Sequence, residues 1–338
     1  MITIHKNASL KSYNTFGIDC RCRALIEYTD EKDLKLLYDK GIFQDKWMAL
    51  GYGANTLFDC GFYDGYILHH TLRLYKVENL AADDFRIYAN AGWIWDDLIE
   101  YTMHWGISGA ENLSGIPASL GGAIVQNIGA YGMEISDLVA RVSVFDTITG
   151  NTAWMSNAEC GFAYRTSVFK HDNCTLIVTG ASLNLCPEIS NWKPCLKYAP
   201  LREFFRPGMN ANNIREWVLT TRNSKLPDPK ILGNAGSFFV NPVVSPEKAE
   251  ELASIYPDIP RYKAEGGIKL AAGWLIDHAG LKGYRNGPVG IDSRNALVIV
   301  NYGKATGRDV LSLSSLVISE VKRIFGVELK PEVRVIGV

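Results

Sequence analysis

Hydrophobic and polar positions along this chain switch between a helical and a strand period from one end to the other. Residues 29–39 open with acidic side chains and place Leu34, Leu37 and Tyr38 on one side, which predicts a short helix, followed by a strand over 47–50. Residues 85–91 alternate as a strand does. Ile94, Leu98, Tyr101 and Trp105 then recur at helical spacing until Gly106 stops the run. A hairpin is predicted from 141–146 and 152–155 around Thr149-Gly150-Asn151, with another strand over 175–185. Helices follow at 210–222, 246–255 and 306–325, with a buried strand at 296–301. The interleaving gives an α+β class. The segment 187–207 is rich in proline and aromatic residues and is read as a linker or mobile loop.

Two stretches break this pattern. Ser114-Gly-Ile-Pro-Ala-Ser-Leu-Gly-Gly122, running on to Asn127-Ile-Gly-Ala-Tyr-Gly132, has too little bulk to make a core, but its glycines let backbone amides crowd a pyrophosphate. Gly233-Asn-Ala-Gly-Ser-Phe-Phe-Val-Asn-Pro242 presents one hydroxyl, Ser237, among small residues. A third segment, Gly51-Tyr-Gly-Ala-Asn55, follows a strand and starts like a dinucleotide fingerprint. Thr56 stands where that fingerprint needs its third glycine, and no P-loop motif occurs, so neither nucleotide fold is expected. Paired with 114–132, the 51–55 loop could pinch an extended pyrophosphate from the other side.

Composition narrows the function classes. A length of 338 residues implies two or three domains. The net charge of −1, from 35 basic and 36 acidic side chains, offers no field for nucleic acid or anionic lipid. Lys6, Lys11, Asp19, Arg21, Arg23 and Glu27 rule out a secretory or spanning segment near the start, so a cytoplasmic protein is expected. Seven cysteines without ligand spacing suggest reduced thiols, and His69-His70 point to opposite faces of a strand; no metal is expected.

Nine motifs, in consistent order from residue 14 to the end, complete a pattern. Asn14-Thr-Phe-Gly17, Gly51-Tyr-Gly-Ala-Asn55, Gly115-Ile-Pro117, Gln126-Asn-Ile-Gly-Ala-Tyr-Gly132, Tyr164-Arg-Thr-Ser167, Lys225-Leu-Pro-Asp-Pro229, Gly233-Asn-Ala-Gly-Ser-Phe-Phe239, Lys269-Leu-Ala-Ala-Gly-Trp-Leu-Ile276 and Pro331-Glu-Val-Arg334 resemble the UDP-N-acetylenolpyruvoylglucosamine reductase (MurB) family. Lys197-Tyr198-Ala199 resembles the subclass that closes a tyrosine lid.

The resemblance implies a vanillyl-alcohol-oxidase-type FAD-binding fold in two subdomains, 1–68 and 69–206, and a substrate-binding domain, 207–338, whose last segment returns Glu332 to the active site. It implies FAD, with NADPH as reductant and UDP-N-acetylglucosamine-enolpyruvate as the small-molecule substrate; no nucleic-acid or membrane partner is expected from the charge, and a monomer is expected. Gly51, Tyr52, Gly53, Ala54, Asn55, Ser114, Gly115, Ile116, Pro117, Ser119, Gly122, Asn127, Gly129, Ala130 and Tyr131 would hold the flavin.

By the same resemblance Arg165 and Glu332 would clamp the substrate carboxylate and Ser237 would give the proton. Arg165 offers a planar fork suited to a carboxylate. A serine is a poor acid in water and serves only where the acceptor is strongly basic. Lys225 matches the diphosphate contact, Asn241 an orienting bond, Tyr198 the lid, and Tyr164 and His278 further substrate contacts. Two positions depart from the family: His278 stands where glutamine is common, and Val240 where lysine is common. Two rival classes share parts of the pattern, a same-fold flavin oxidase that needs no Ser237 and a nucleotide-sugar binding protein that needs no flavin.

Overall fold

Residues 1–81, 84–187 and 192–337 are described by the computed structural model. They divide into two compact units, neither of which is one continuous stretch of chain. The first comprises Met1–Ala8, Cys22–Gly53 and Asp64–Arg222; the second comprises Ser9–Arg21, Ala54–Tyr63 and Asn223–Val338.

In the first unit a five-stranded antiparallel sheet runs in the order Asn151–Ser156, Val139–Asp146, Leu176–Asn184, Asp84–Asn90, Tyr75–Ala81. Gly150, at φ 70°, turns the predicted hairpin. The helices Trp95–His104 and Leu120–Gln126 pack on this sheet around Trp95, Leu98, Leu120, Ile124, Val142 and Ala181. A second sheet is ordered Thr3–Ser9, Arg21–Tyr28, Phe62–His70, Trp47–Ala49, with the last pair parallel. The helix Glu31–Asp39 begins where the Asp30 side chain accepts the Asp33 N–H and buries Leu34 and Leu37 against Tyr28 and Phe145.

The second unit holds the sheet Gly233–Ser237, Val298–Asn301, Val289–Ile291, Arg285–Asn286 and a three-stranded sheet of Val243–Val244, Gly267–Leu270 and Arg261–Ala264. Its longest helix, Gly307–Phe325, carries a Thr306/Asp309 capping box and stops at Gly326 in the left-handed region. Val310, Leu313, Val317, Val321 and Phe325 make its buried stripe. The strand Arg334–Ile336 pairs in parallel with Thr56–Phe58, so the middle and last segments of this unit meet in one ladder.

The segment read as a linker contains ordered structure. Cys186–Pro187 pairs with Ile107–Ser108, and Ala199–Phe204 is a helix with its proline in the first turn, where the missing N–H costs nothing. Residues 188–191 of that segment lie outside the described residues.

His70 ends its strand buried edge-on against Tyr28, with ring centroids 4.8 Å apart. Burial, ahead of repulsion from His69, holds its imidazole down to about 4. An unfolded histidine titrates near 6.5, so between those values the unfolded chain takes up a proton that the folded one refuses. Stability is therefore expected to be complete above the upper value and to decline as the pH falls through the window, by up to about 3 kcal/mol. Urea midpoints measured from pH 7 to 4.5 should flatten in His70→Phe; an unchanged slope would remove His70 as the cause.

Candidate active site

The glycine-rich stretch forms a wall of the first unit's core, contrary to the expectation that it lacks the bulk. Leu120, Ala123 and Ile124 are fully buried in the short helix that starts after Ser119. The reason is smallness itself: a Cβ on Gly121 would stand 3.0 Å from that of Ala91, so only glycine lets this helix approach so closely. Ser119 caps the helix by accepting the Gly122 N–H at 3.1 Å. Any side chain on Gly51 would run into the Ser119 Oγ. The loop at 51–53 and the loop at 114–122 therefore abut, as a two-sided pinch requires, with Gly53 buried, Tyr52, Gly115, Ile116 and Pro117 half-buried, and Gly122 exposed.

Buried polar atoms beside this wall are left over. Among the described residues the Ser114 Oγ, on a side chain with no exposure, and the Asn112 Oδ1 have no hydrogen-bond partner. Unmatched donors and acceptors lining glycine loops suit a large polar cofactor. Asn127 is different. Its Nδ2 donates to Glu134 and to the Ala163 carbonyl, both at 2.9 Å, and its Oδ1 accepts the Ser136 N–H at 3.2 Å. Fully buried in the left-handed region at φ 45°, it binds the cradle to the turn that carries Arg165.

That turn is closed by reciprocal backbone bonds between Ala163 and Thr166, and Arg165 sits on it at φ 58°. The conformation disfavours any side chain with a Cβ, a strain often kept at working residues. The Arg165 Nη2 donates to the Gly129 carbonyl at 2.6 Å, and its guanidinium lies 5.2 Å from the Tyr164 ring. Gly129 and Ala130 form a short strand with Met133–Glu134. Next along, Tyr131 packs edge-on against Tyr198 at 5.5 Å and Trp217 at 5.7 Å. The Tyr131 hydroxyl also meets Arg222; burial nevertheless raises the phenol above its ordinary value, and burial lowers the guanidinium.

In the second unit Asn234 shapes the Ser237 segment. Its N–H donates to the Thr15 carbonyl at 3.0 Å and its Oδ1 accepts the Gly236 N–H at 2.8 Å. Gly236 takes φ 68°, which brings Ser237 half-exposed to the end of its strand. Among the described residues the Ser237 hydroxyl has no hydrogen-bond partner. Glu332 lies directly alongside, its N–H donating to the Phe238 carbonyl at 2.8 Å. Asn55 fixes it from behind: Nδ2 donates to the Glu332 carbonyl at 3.2 Å, and the Asn55 carbonyl accepts the Arg334 N–H at 3.0 Å. Ala54, half-buried, precedes it.

The other expected substrate residues are spread over the second unit. Lys225 is exposed at the end of the helix Ala211–Lys225. The Asn241 Oδ1 accepts the Ala272 N–H at 2.9 Å, which leaves its Nδ2 to donate elsewhere. His278 stacks on Trp274 with centroids 3.6 Å apart and stands 3.7 Å from Asp258.

The chain has counterparts among known proteins. Residues 24–156 match the FAD binding domain family, and residues 228–336 match the C-terminal domain of UDP-N-acetylenolpyruvoylglucosamine reductase. The reductase of that name from Porphyromonas gingivalis strain W83 is 40% identical, over 98% of this chain and 99% of its own. The chain belongs to the UDP-N-acetylenolpyruvoylglucosamine reductase family. The reductase of Shewanella sediminis is 39% identical over 99% of this chain and 97% of its own. The solved reductase of Thermus caldophilus superposes with a TM-score of 0.68 at 26% identity, covering 99% and 98% of the two chains. The family's vanillyl-alcohol-oxidase-type FAD-binding fold and α+β class are thus those of this chain. Among the described residues no helix is long and apolar enough to cross a membrane.

Sequence reasoning missed Asn112, Asp96, Arg215 and Arg222. Asp96 meets the two arginines from more than a hundred residues away, with no local signal between them.

Proposed function

We propose that this protein reduces UDP-N-acetylglucosamine-enolpyruvate to UDP-N-acetylmuramate, a peptidoglycan precursor, as an FAD-dependent oxidoreductase with NADPH as the source of hydride. The observation that carries the reading is the Ser237 hydroxyl, without a hydrogen-bond partner among the described residues, beside the segment that carries Glu332, in a chain of this family. When bound, FAD would supply two-electron chemistry, the relay of hydride from NADPH to the terminal methylene carbon of the enolpyruvyl group. The first unit's cradle residues would hold it: Gly51, Tyr52 and Gly53 on one side, Ser114–Pro117, Ser119, Gly122, Gly129, Ala130 and Tyr131 on the other, with Asn127 positioning them. Ala54 and Asn55 belong to the second unit, where Asn55 orders Glu332.

Hydride addition leaves an electron pair on the carbon that bears the ether oxygen and the carboxylate, spread into the carboxylate as an enolate-like charge. Arg165 holds those carboxylate oxygens, and Glu332 completes the clamp as the protonated acid that donates to one of them. Ser237 gives its hydroxyl proton to the carbon, and its oxygen is reprotonated from solvent. A hydroxyl acid suits this step because the carbanion is far more basic than alkoxide in a site that charges have not fully neutralised. Lys225 takes the diphosphate, Asn241 donates through Nδ2, and Tyr198 closes over the sugar beside Tyr164. His278 donates from the position where relatives have glutamine. Nucleotide-sugar and nicotinamide substrates place the enzyme in the cytoplasm, and the reading needs no second subunit.

Anaerobic stopped-flow absorbance tests it. NADPH should bleach a flavin band and the enolpyruvyl substrate should restore it; recovery with oxygen alone would favour the oxidase, and a colourless protein the binding role. Glu332→Gln should slow the second half-reaction about tenfold, the equivalent of one hydrogen bond, and leave the first unchanged. Equal loss in both steps would place Glu332 outside the chemistry.

A further inference from the structure

The loop from Leu113 to Ser119 is gripped by three consecutive residues. Trp95 donates its indole N–H to the Leu113 carbonyl at 3.0 Å and its backbone N–H to the Ala118 carbonyl at 2.9 Å, while Ile94 bridges Ser119. Asp96 takes the middle: its Oδ1 accepts the Gly115 N–H at 2.6 Å. The same carboxylate receives both arms of Arg215, at 2.5 and 3.1 Å, in a bidentate pair whose arginine side chain is only 13% exposed. Arg215 comes from the helix Ala211–Lys225, which also fills the space over Gly115 with Leu219 and Arg222. Glu100, at 3.8 Å, is well exposed and a minor partner.

A carboxylate on one backbone N–H needs no buried arginine to be content, because it lies in the first turn of a helix. The planar fork does something else: it fixes the carboxylate's rotation, and through it the peptide that starts the left-handed turn at Gly115, φ 73°. That turn follows Ser114, whose buried hydroxyl is unpartnered among the described residues.

We propose that the Asp96–Arg215 pair is a positioning device for the flavin cradle. It holds the Ser114–Ser119 loop in its ligand-ready form before FAD arrives, and it is not itself a flavin contact. The inference rests on the flavin-binding role stated above. Preorganisation of this kind appears in affinity, because a loop left free must be ordered on binding.

The test is FAD retention by the purified holoenzyme on dilution, followed by recovery of free-flavin fluorescence. Asp96→Asn and Arg215→Met should each raise the FAD dissociation constant by about 10- to 100-fold, by analogy with the loss of residues that orient a metal's ligands. The double variant should be no worse than the weaker-binding single, since either change alone disables the unit. Arg215→Lys, which keeps the charge without the fork and is the variant to use if Arg215→Met does not fold, should also lose FAD, by a smaller factor. Retention within twofold of wild type in these variants, or strictly additive losses in the double, overturns the proposal. Wild-type protein that holds no flavin would overturn the flavin reading and this one with it; wild-type retention with unaffected variants overturns this one alone.

Discussion

Ser237→Ala is expected to leave NADPH-dependent flavin bleaching at its normal rate and to slow reoxidation by the enolpyruvyl substrate by about 10²- to 10⁴-fold, the usual worth of a positioned acid. The split between the half-reactions is the informative part, because a proton is needed only after hydride has left the flavin. The geometry makes the variant clean. The hydroxyl has no partner among the described residues, so its removal leaves no bond unmade, and the turn is held by Asn234 and Gly236 instead. Ser237→Cys, a stronger acid of similar shape, should recover part of the rate. Turnover of Ser237→Ala near wild type would refute the proton-donor role.

Arg165→Lys is expected to cost about 10²- to 10³-fold in the second half-reaction, comparable to the loss of one donor to a developing negative charge. Charge is kept, so a deficit of that size would report the fork. One arm of the fork is already committed to the Gly129 carbonyl at 2.6 Å, which aims the group through the flavin cradle's own backbone. Lysine cannot hold that bond and a carboxylate in one plane. Arg165→Gly separates the two features of the position. It would relieve the left-handed strain at φ 58° and gain stability, yet lose the chemistry entirely. A melting temperature that falls in Arg165→Gly would mean that the side chain, and not the site, sustains the turn.

Much of the fold was legible because local rules were strong where they applied. Thr306 with Asp309 marked the start of the long C-terminal helix, Pro246 the start of another, and Gly150 the hairpin. The helix Leu120–Gln126 was hidden because its glycines read as loop, although tertiary contact with Ala91 is what they serve. The helix Ala199–Phe204 was hidden by its proline, which sits in the one turn that tolerates it. The chemistry-bearing residues were legible only as a family pattern. Spacing alone cannot announce that Asn127 turns inward, or that Asp96 meets an arginine 119 positions away.

The ladder between Thr56–Phe58 and Arg334–Ile336 makes the folding of the second unit wait on residues far apart in the chain. Asn55 and Glu332 are separated by 277 positions, so the early strand waits for its partner until almost the whole chain has left the ribosome. By the roles proposed above, a chain truncated before that strand would carry the loops assigned to the flavin and lack the Glu332 carboxylate.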